Sequence, residues 1–275
     1  MTDEPTSIIT ALKPATALNR YVAGYWLVHD PDGAYADQLI STLPVPGCVL
    51  GVNLADPNRY EDQFGVPTVG LLGLHRSKIT YRASSHTKFA MAVLTFEGCV
   101  AILDGAAAEA VGAMAELEML LRSSASDRLR SAMLAAPHRE AIAAIFDHWI
   151  NDQISPRAVD RACRIGAAAR RLEAHSVDQV ARELGLSRRQ LHRIFVNDLG
   201  IGPKAVASLN RFANSVSGLA NTAVDPVAGY ADQAHQIRDW LARAGVSPGR
   251  YAAAGPSELA RQFLSASPDA LSFYV

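Results

Sequence analysis

From Tyr21 to Leu103 the apolar residues come in short runs: Tyr21–Val28, Leu39–Leu43, Cys48–Leu54, Val69–Leu74, Lys78–Tyr81 and Lys88–Phe96. Turn formers such as Pro44, Gly47, Pro57, Asn58 and Pro67 stand between them. Runs of this length, punctuated this regularly, predict an all-β sandwich or small barrel. After Asp104 the texture changes. Val111, Met114, Leu117 and Leu121 recur at three- and four-residue steps and predict one helix, and a second is expected over Arg139–Ile150. The polar stretch Asn151–Pro156 reads as a linker, and the chain beyond it is patterned as helix almost to Ala253. Residues 254–275 are weakly patterned and read as a frayed tail. The fold expected is therefore α+β: a β-rich sandwich or barrel with following helices over 1–150, then an all-α domain over 157–253.

Ser176–Phe195, SVDQVARELGLSRRQLHRIF, carries the densest signal. Ser176 is placed to cap a helix whose Val180 and Leu184 point inward, and Ala181 is small where a second helix must cross. Gly185 stands where a tight turn needs a left-handed backbone, Leu186 plugs the angle, and Ser187 can cap the next helix. Leu191, Ile194 and Phe195 give that helix a buried face. Its other face carries Arg188, Arg189, Gln190, His192 and Arg193. This is the pattern of a helix-turn-helix, whose second helix enters the major groove with its N-terminal residues at base edges. Arginine grips guanine O6 and N7, glutamine suits adenine, and either can instead hold phosphate. Arg189, His192 and Arg193 are the favoured base readers.

Charge agrees with this placement. The whole chain carries a formal net charge of −1, yet Pro156–Tyr251 holds 14 Arg and Lys against 8 Asp and Glu. The preceding part is acidic, as suits a nucleic-acid reader joined to a non-binding domain, although a solvated basic face gives the same count. With 49% apolar residues over 275 positions the chain can build two cores, which excludes a disordered or fibrous class. No stretch keeps about 18 apolar residues together and no signal-peptide pattern appears, so a cytoplasmic protein without membrane contact is expected. Cys48, Cys99 and Cys163 are widely spaced and read as buried, reduced thiols.

Two further segments carry a family resemblance. Asn197–Arg211, NDLGIGPKAVASLNR, and Gly229–Tyr251, GYADQAHQIRDWLARAGVSPGRY, together with the motif before them, resemble the AraC/XylS family of bacterial transcription regulators in that family's order. The resemblance implies two helix-turn-helix subdomains joined by a long helix starting near Pro203 and reading successive major grooves. The second recognition helix would run over Asp232–Arg243, with Gln233, His235 and Arg238 exposed and Ile237 and Trp240 nearer the core. Three departures stand out: a shortened Arg211–Gly229 interval, Asp225-Pro226 where the family has a helix, and Gln236 where an apolar side chain is usual. Proline costs about 3 kcal/mol or more inside a helix, and a buried amide needs partners. The front segment, with Tyr25-Trp26 and Gly70–Gly73 among short strands, resembles the β-rich domain of one branch of the family, which implies effector binding or dimer formation.

Trp26, Tyr81 and Phe89 are the leading candidates to line a ligand pocket, with Tyr60, His75 and His86 beside them. His75 and His86, eleven apart with no third ligand in a recognisable spacing, make a poor metal signature, so no metal and no cofactor are expected. No hydrolase, nucleotide-binding or dinucleotide fingerprint points to an enzyme. The function expected is a sequence-specific DNA-binding transcription regulator. Its partners would be double-stranded DNA, a small-molecule effector, a second copy of the chain and, for an activator, RNA polymerase. The alternative is a co-regulator working through protein partners, with a degenerate second helix-turn-helix.

Overall fold

The computed structural model describes residues 8–60, 64–220, 227 and 229–266. Its front half is built from β1 (Ile9–Leu12), β2 (Val22–Asp30), β3 (Leu39–Thr42), β4 (Gly47–Asn53) and β5 (Arg59–Tyr60). These are followed by β6 (Phe64–Gly65), β7 (Val69–Leu72), β8 (Ile79–Arg82), β9 (Thr87–Thr95) and β10 (Met114–Glu116). A larger sheet runs β1-β2-β9-β4-β7-β10 and a smaller one β3-β8-β5-β6, with antiparallel neighbours throughout. The two longest strands are buried on both faces. In β9, Ala90, Ala92 and Leu94 share the main core with Cys48, Leu50 and Val52 of β4, while Met91 and Val93 belong to a separate cluster on the opposite face. The period of two along each strand makes this division.

Helices cover the first of these faces: α1 (Phe96–Leu103), α2 (Leu117–Leu121), α3 (Ala125–Leu134) and α4 (Ala141–Gln153). Every residue of α1 is buried, and the Thr95 hydroxyl caps it by accepting from the Gly98 N–H at 3.1 Å. The helix expected from the Val111–Leu121 pattern does not form. Gly105 and Gly112 take φ of +95° and +73°, which only a residue without Cβ adopts freely. Between and beyond them lie a 3-10 turn over Ala106–Ala110, the strand β10 pairing β7, and the short α2. The apolar spacing there is met by three elements rather than one.

The second half runs α5 (Val159–Arg171), α6 (Val177–Glu183), α7 (Arg188–Leu199), α8 (Pro203–Ala220), α9 (Gln233–Ala244), α10 (Pro248–Ala254) and α11 (Glu258–Ala266). Helix α11 stands where a frayed tail was expected. Leu259, Ala260 and Phe263 bury one stripe of it against Ile9, Trp26 and Val28 of the larger sheet, and the Ile8 N–H donates to Gln262 Oε1 at 3.2 Å. Among the described residues no helix is long and apolar enough to cross a membrane.

The segment read as a linker is a short, held joint. Helix α4 runs on to Gln153, and the Ser155 N–H donates to the Ala101 carbonyl at 2.8 Å. One hydrophobic core then passes without a break from the sheet through α1 into α5, α6 and α7. Where α1 meets α5, Gly166 lies so close that a Cβ there would sit 2.4 Å from Glu97 Oε2. The Glu97 carboxylate is 1% exposed and accepts from Arg20 Nε at 2.6 Å and from an Arg170 guanidinium N–H at 3.4 Å. Arg161 of α5 pairs with Asp104 after α1 and with Asp198 in α7.

Candidate nucleic-acid interface and effector cavity

The first helix-turn-helix forms as its residues dictate. Ser176 caps α6 by accepting from the Gln179 N–H at 3.2 Å. Gly185 takes φ +66° in the turn, and the Leu186 N–H closes back on the Ala181 carbonyl at 2.9 Å. Leu191, Phe195 and Leu199 bury one face of α7, which leaves Arg188, Arg189, Gln190, His192 and Arg193 exposed on the remainder.

The five are not equally free. Gln190 completes a capping box: Ser187 Oγ accepts from the Gln190 N–H at 3.2 Å, and Gln190 Oε1 accepts from the Ser187 N–H at 2.8 Å. Its amide oxygen is therefore engaged with the helix start. Arg188 faces Asp178 at 3.6 Å in an exposed pair. His192 leans along the helix toward the next turn, its Nε2 lying 2.8 Å from where a Gly202 Cβ would be. Arg189 and Arg193 project from the exposed face, and Arg182 of α6 is exposed as well.

In the second unit α9 is capped by Asp232, whose Oδ1 accepts from the His235 N–H at 2.6 Å. Gln233 and Arg238 are exposed, as the resemblance implies. His235 is half-buried, its ring edge-on to Tyr230 at 5.3 Å. Gln236 is buried and satisfied: its Nε2 donates to Ser215 Oγ at 3.0 Å, and Trp240 Nε1 donates to the same oxygen at 3.0 Å. A polar side chain in the apolar position has found the partner it needs on α8. Asp225-Pro226 lies outside the described residues.

Arg243, which the pattern alone does not single out, is 4% exposed. Its guanidinium donates to Asp239 Oδ1 at 2.9 Å and Ser208 Oγ at 2.8 Å, and lies 5.6 Å from the Phe212 ring centre. The spacing Asp239–Arg243 was the one sequence signal for it, as an i,i+4 helix pair.

Between the two sheets lies an apolar cavity of about 120 Å³. Tyr81 and Phe89 line it, with Tyr60 and His75. Trp26 does not: it sits in the cluster under α11, 6.4 Å from the Phe263 ring. It shares the sheet face of Met91, its partner in β9, but lies on the part of that face that α11 covers. His86 is also elsewhere, at the surface facing Asp56 at 3.5 Å. His75 is 4% exposed, and its Nδ1 lies 3.2 Å from the Gly73 carbonyl. Burial pushes its imidazole below the ordinary histidine value, with the Gly73 and Leu43 carbonyls pulling the other way. Its Nε2 is buried and has no hydrogen-bond partner among the described residues. Among those residues no three His, Cys, Asp or Glu side chains are grouped to hold a metal.

Cys48 and Cys99 are buried together, the Cys48 thiol pushed well up by its hydrogen bond to Cys99 and by burial. Cys163 is half-exposed rather than buried and accepts from an Arg20 guanidinium N–H at 3.0 Å.

No family model matches the chain, and no curated protein matches it. Solved structures similar to it include ToxT from Vibrio cholerae, with a TM-score of 0.44 at 9% identity over 82% of this chain and 97% of that one. An unsaturated fatty acid-bound wild-type ToxT from Vibrio cholerae strain SCE256 gives 0.43 at 12% identity, covering 92% and 97%. The AraC-like transcriptional activator CuxR gives 0.25 at 13% identity, covering 69% and 80%.

Proposed function

We propose that the chain is a sequence-specific DNA-binding transcription regulator of the AraC type, working in the cytosol and controlled by a small molecule in the cavity between the two sheets. One observation carries the DNA reading: α6, the Gly185 turn and α7 form a capped helix-turn-helix whose exposed face presents Arg188, Arg189, His192 and Arg193 together. A helix N-terminus bearing several cations suits a groove walled by phosphate. Arg189 and Arg193 are assigned to base edges, and Arg188, paired with Asp178, to the backbone. Gln190 is assigned to the cap rather than to a base.

The cavity supports the effector half of the reading. Its walls are mainly apolar, with His75, Asn58, Tyr60 and Tyr81 supplying a few polar groups. Such a site suits a compact, mainly apolar molecule carrying a few polar atoms.

Selection of bound DNA from a random pool at two salt concentrations tests the regulator. A recovered motif whose affinity falls steeply with salt is expected, because each neutralised phosphate releases counterions. Failure to enrich any sequence overturns it and moves the assignment to a co-regulator acting through protein contacts.

A further inference from the structure

The cavity and the second DNA-reading unit share a wall. Leu43, 2% exposed, lines the cavity and at the same time packs with Phe212, Val216, Trp240 and Ala244 in the core of the second unit. The segment between β7 and β8 is double-sided in the same way. His75 and Ile79 face the cavity. Between them, the Arg76 carbonyl accepts from the Arg243 guanidinium at 3.2 Å, and the Lys78 N–H donates to the Arg243 carbonyl at 2.6 Å. Arg243 is fixed in turn by Asp239, Ser208 and the Phe212 ring. The backbone at Arg76–Lys78 is thus bonded directly to the last turn of α9.

Among the described residues the first unit meets the cavity less directly: of the cavity lining only Val52 of β4 belongs to the core that holds α7, and no backbone hydrogen bond joins the 75–79 segment to α7. Its joint to the front half runs through α1 and α5, on the sheet face that carries Cys48 and Leu50, whereas the cavity lies mainly on the face that carries Val49, Gly51 and Met91. Packed layers shift between discrete arrangements rather than deforming continuously, so a molecule in the cavity acts first on what it touches. We infer that occupancy of the cavity between the sheets is transmitted through Leu43 and the 75–79 segment to the second recognition helix in preference to the first. The effector then sets whether α9 joins α7 on DNA. This rests on the regulator reading for its consequence, but the coupling itself is a property of the free protein.

The structure also offers an occupant that needs no identified ligand. Gly51 lines the cavity, and a Cβ built there meets nothing within 4 Å. In Gly51→Leu the leucine fills the cavity from its own wall. Hydrogen exchange on the full chain, free of DNA, then reads both units. The Lys78 amide and the α9 amides are expected to slow by about fivefold or more, the lower end of ordinary coupling between sites, while α7 amides stay within about twofold. Adding Arg243→Lys, which keeps the charge but loses the two-sided grip, should return α9 to its rate without the leucine. Gly51→Ala, one carbon in the same space, serves if the leucine variant does not fold, with a smaller shift in the same order. Equal changes in α7 and α9, or changes confined to the barrel strands, would overturn the inference. DNA selection with the unmodified chain is run beside it: absence of any selected sequence sinks the regulator and leaves the exchange result to judge the coupling alone.

Discussion

The two helical units, one around α7 and one around α9, are held in opposite ways. In the first, Phe195 and Leu191 of the recognition helix belong to the same core as the sheet and α1, and Glu97 and Arg161 add charged bridges across the joint. In the second, Trp240 belongs to a small separate core shared with α8 and one front-half residue, Leu43. Their exposed faces differ as well. Helix α7 shows three arginines and a histidine to solvent. Helix α9 shows Arg238 and Gln233 beside Leu241, which is 50% exposed, because Arg243 is spent inside. A rigidly mounted, cationic reader is paired with a lightly mounted, weakly charged one. Under the regulator proposed above, such a pair suits constant engagement of one half-site and conditional engagement of the other.

The sharpest way to break this comparison is through the cores. Phe195→Ala and Trp240→Ala each remove a fully buried ring, a loss of about 3–5 kcal/mol. For Phe195→Ala the loss should appear in global unfolding by denaturant, with barrel and α7 melting together. For Trp240→Ala it should appear as fast hydrogen exchange over α8–α10 with barrel protection retained. A shared global transition in both variants would show that the second unit is mounted as firmly as the first.

The faces come next. Arg193→Ala should weaken specific DNA binding by about 1–3 kcal/mol and relax preference at one base position. Arg238→Ala should cost less than about 1 kcal/mol at the same salt, as a single exposed contact to phosphate would. Equal losses in a titration would remove the distinction between readers. Smaller again, Ser187→Ala should lower the stability of the first unit by about 1 kcal/mol through loss of the cap. Gln190→Ala should lower it without altering the selected sequence; a changed base preference would return Gln190 to the groove.

The least of these effects is in acid. Hydrogen bonding from Arg161 holds the Asp104 carboxyl below its ordinary value of 3.8. Its contribution to the joint is therefore complete above that value and is lost as pH falls through the depressed one. Asp104→Asn should flatten this part of the stability profile below about pH 4, measured by denaturant titration at several pH values. An unchanged slope would take Asp104 out of the joint.

What could be read from the chain divides along the same line. Six strands were legible to within a residue or two because turn formers bracket short apolar runs, and the first helix-turn-helix was legible because its caps, turn glycine and apolar face are local. Strand β1 escaped because four residues give too little pattern. Helix α11 escaped because Leu259 and Phe263 supply only one turn of spacing in an otherwise weak stretch. The joint and the cavity wall were not legible at all. Arg20 meets Glu97, Glu97 meets Arg170, and Lys78 meets Arg243 across long separations in the chain, and no local period encodes such pairs. Trp26 shows the same limit, since it shares the face of the cavity-lining Met91 and only α11, distant in the chain, covers it instead.

Helix α11 has one more consequence. It clamps onto β1 and β2, and only Gly255, Pro256 and Ser257 separate it from α10. Three extended residues reach at most about 10 Å. The second unit is therefore tethered at both ends, by α8 on one side and by this short strap on the other. If it lets go of Leu43 it cannot wander off as a bead on a string. It re-docks as an intramolecular event at millimolar effective concentration, which lets a weak grip hold a reader in place and still release it within a small radius.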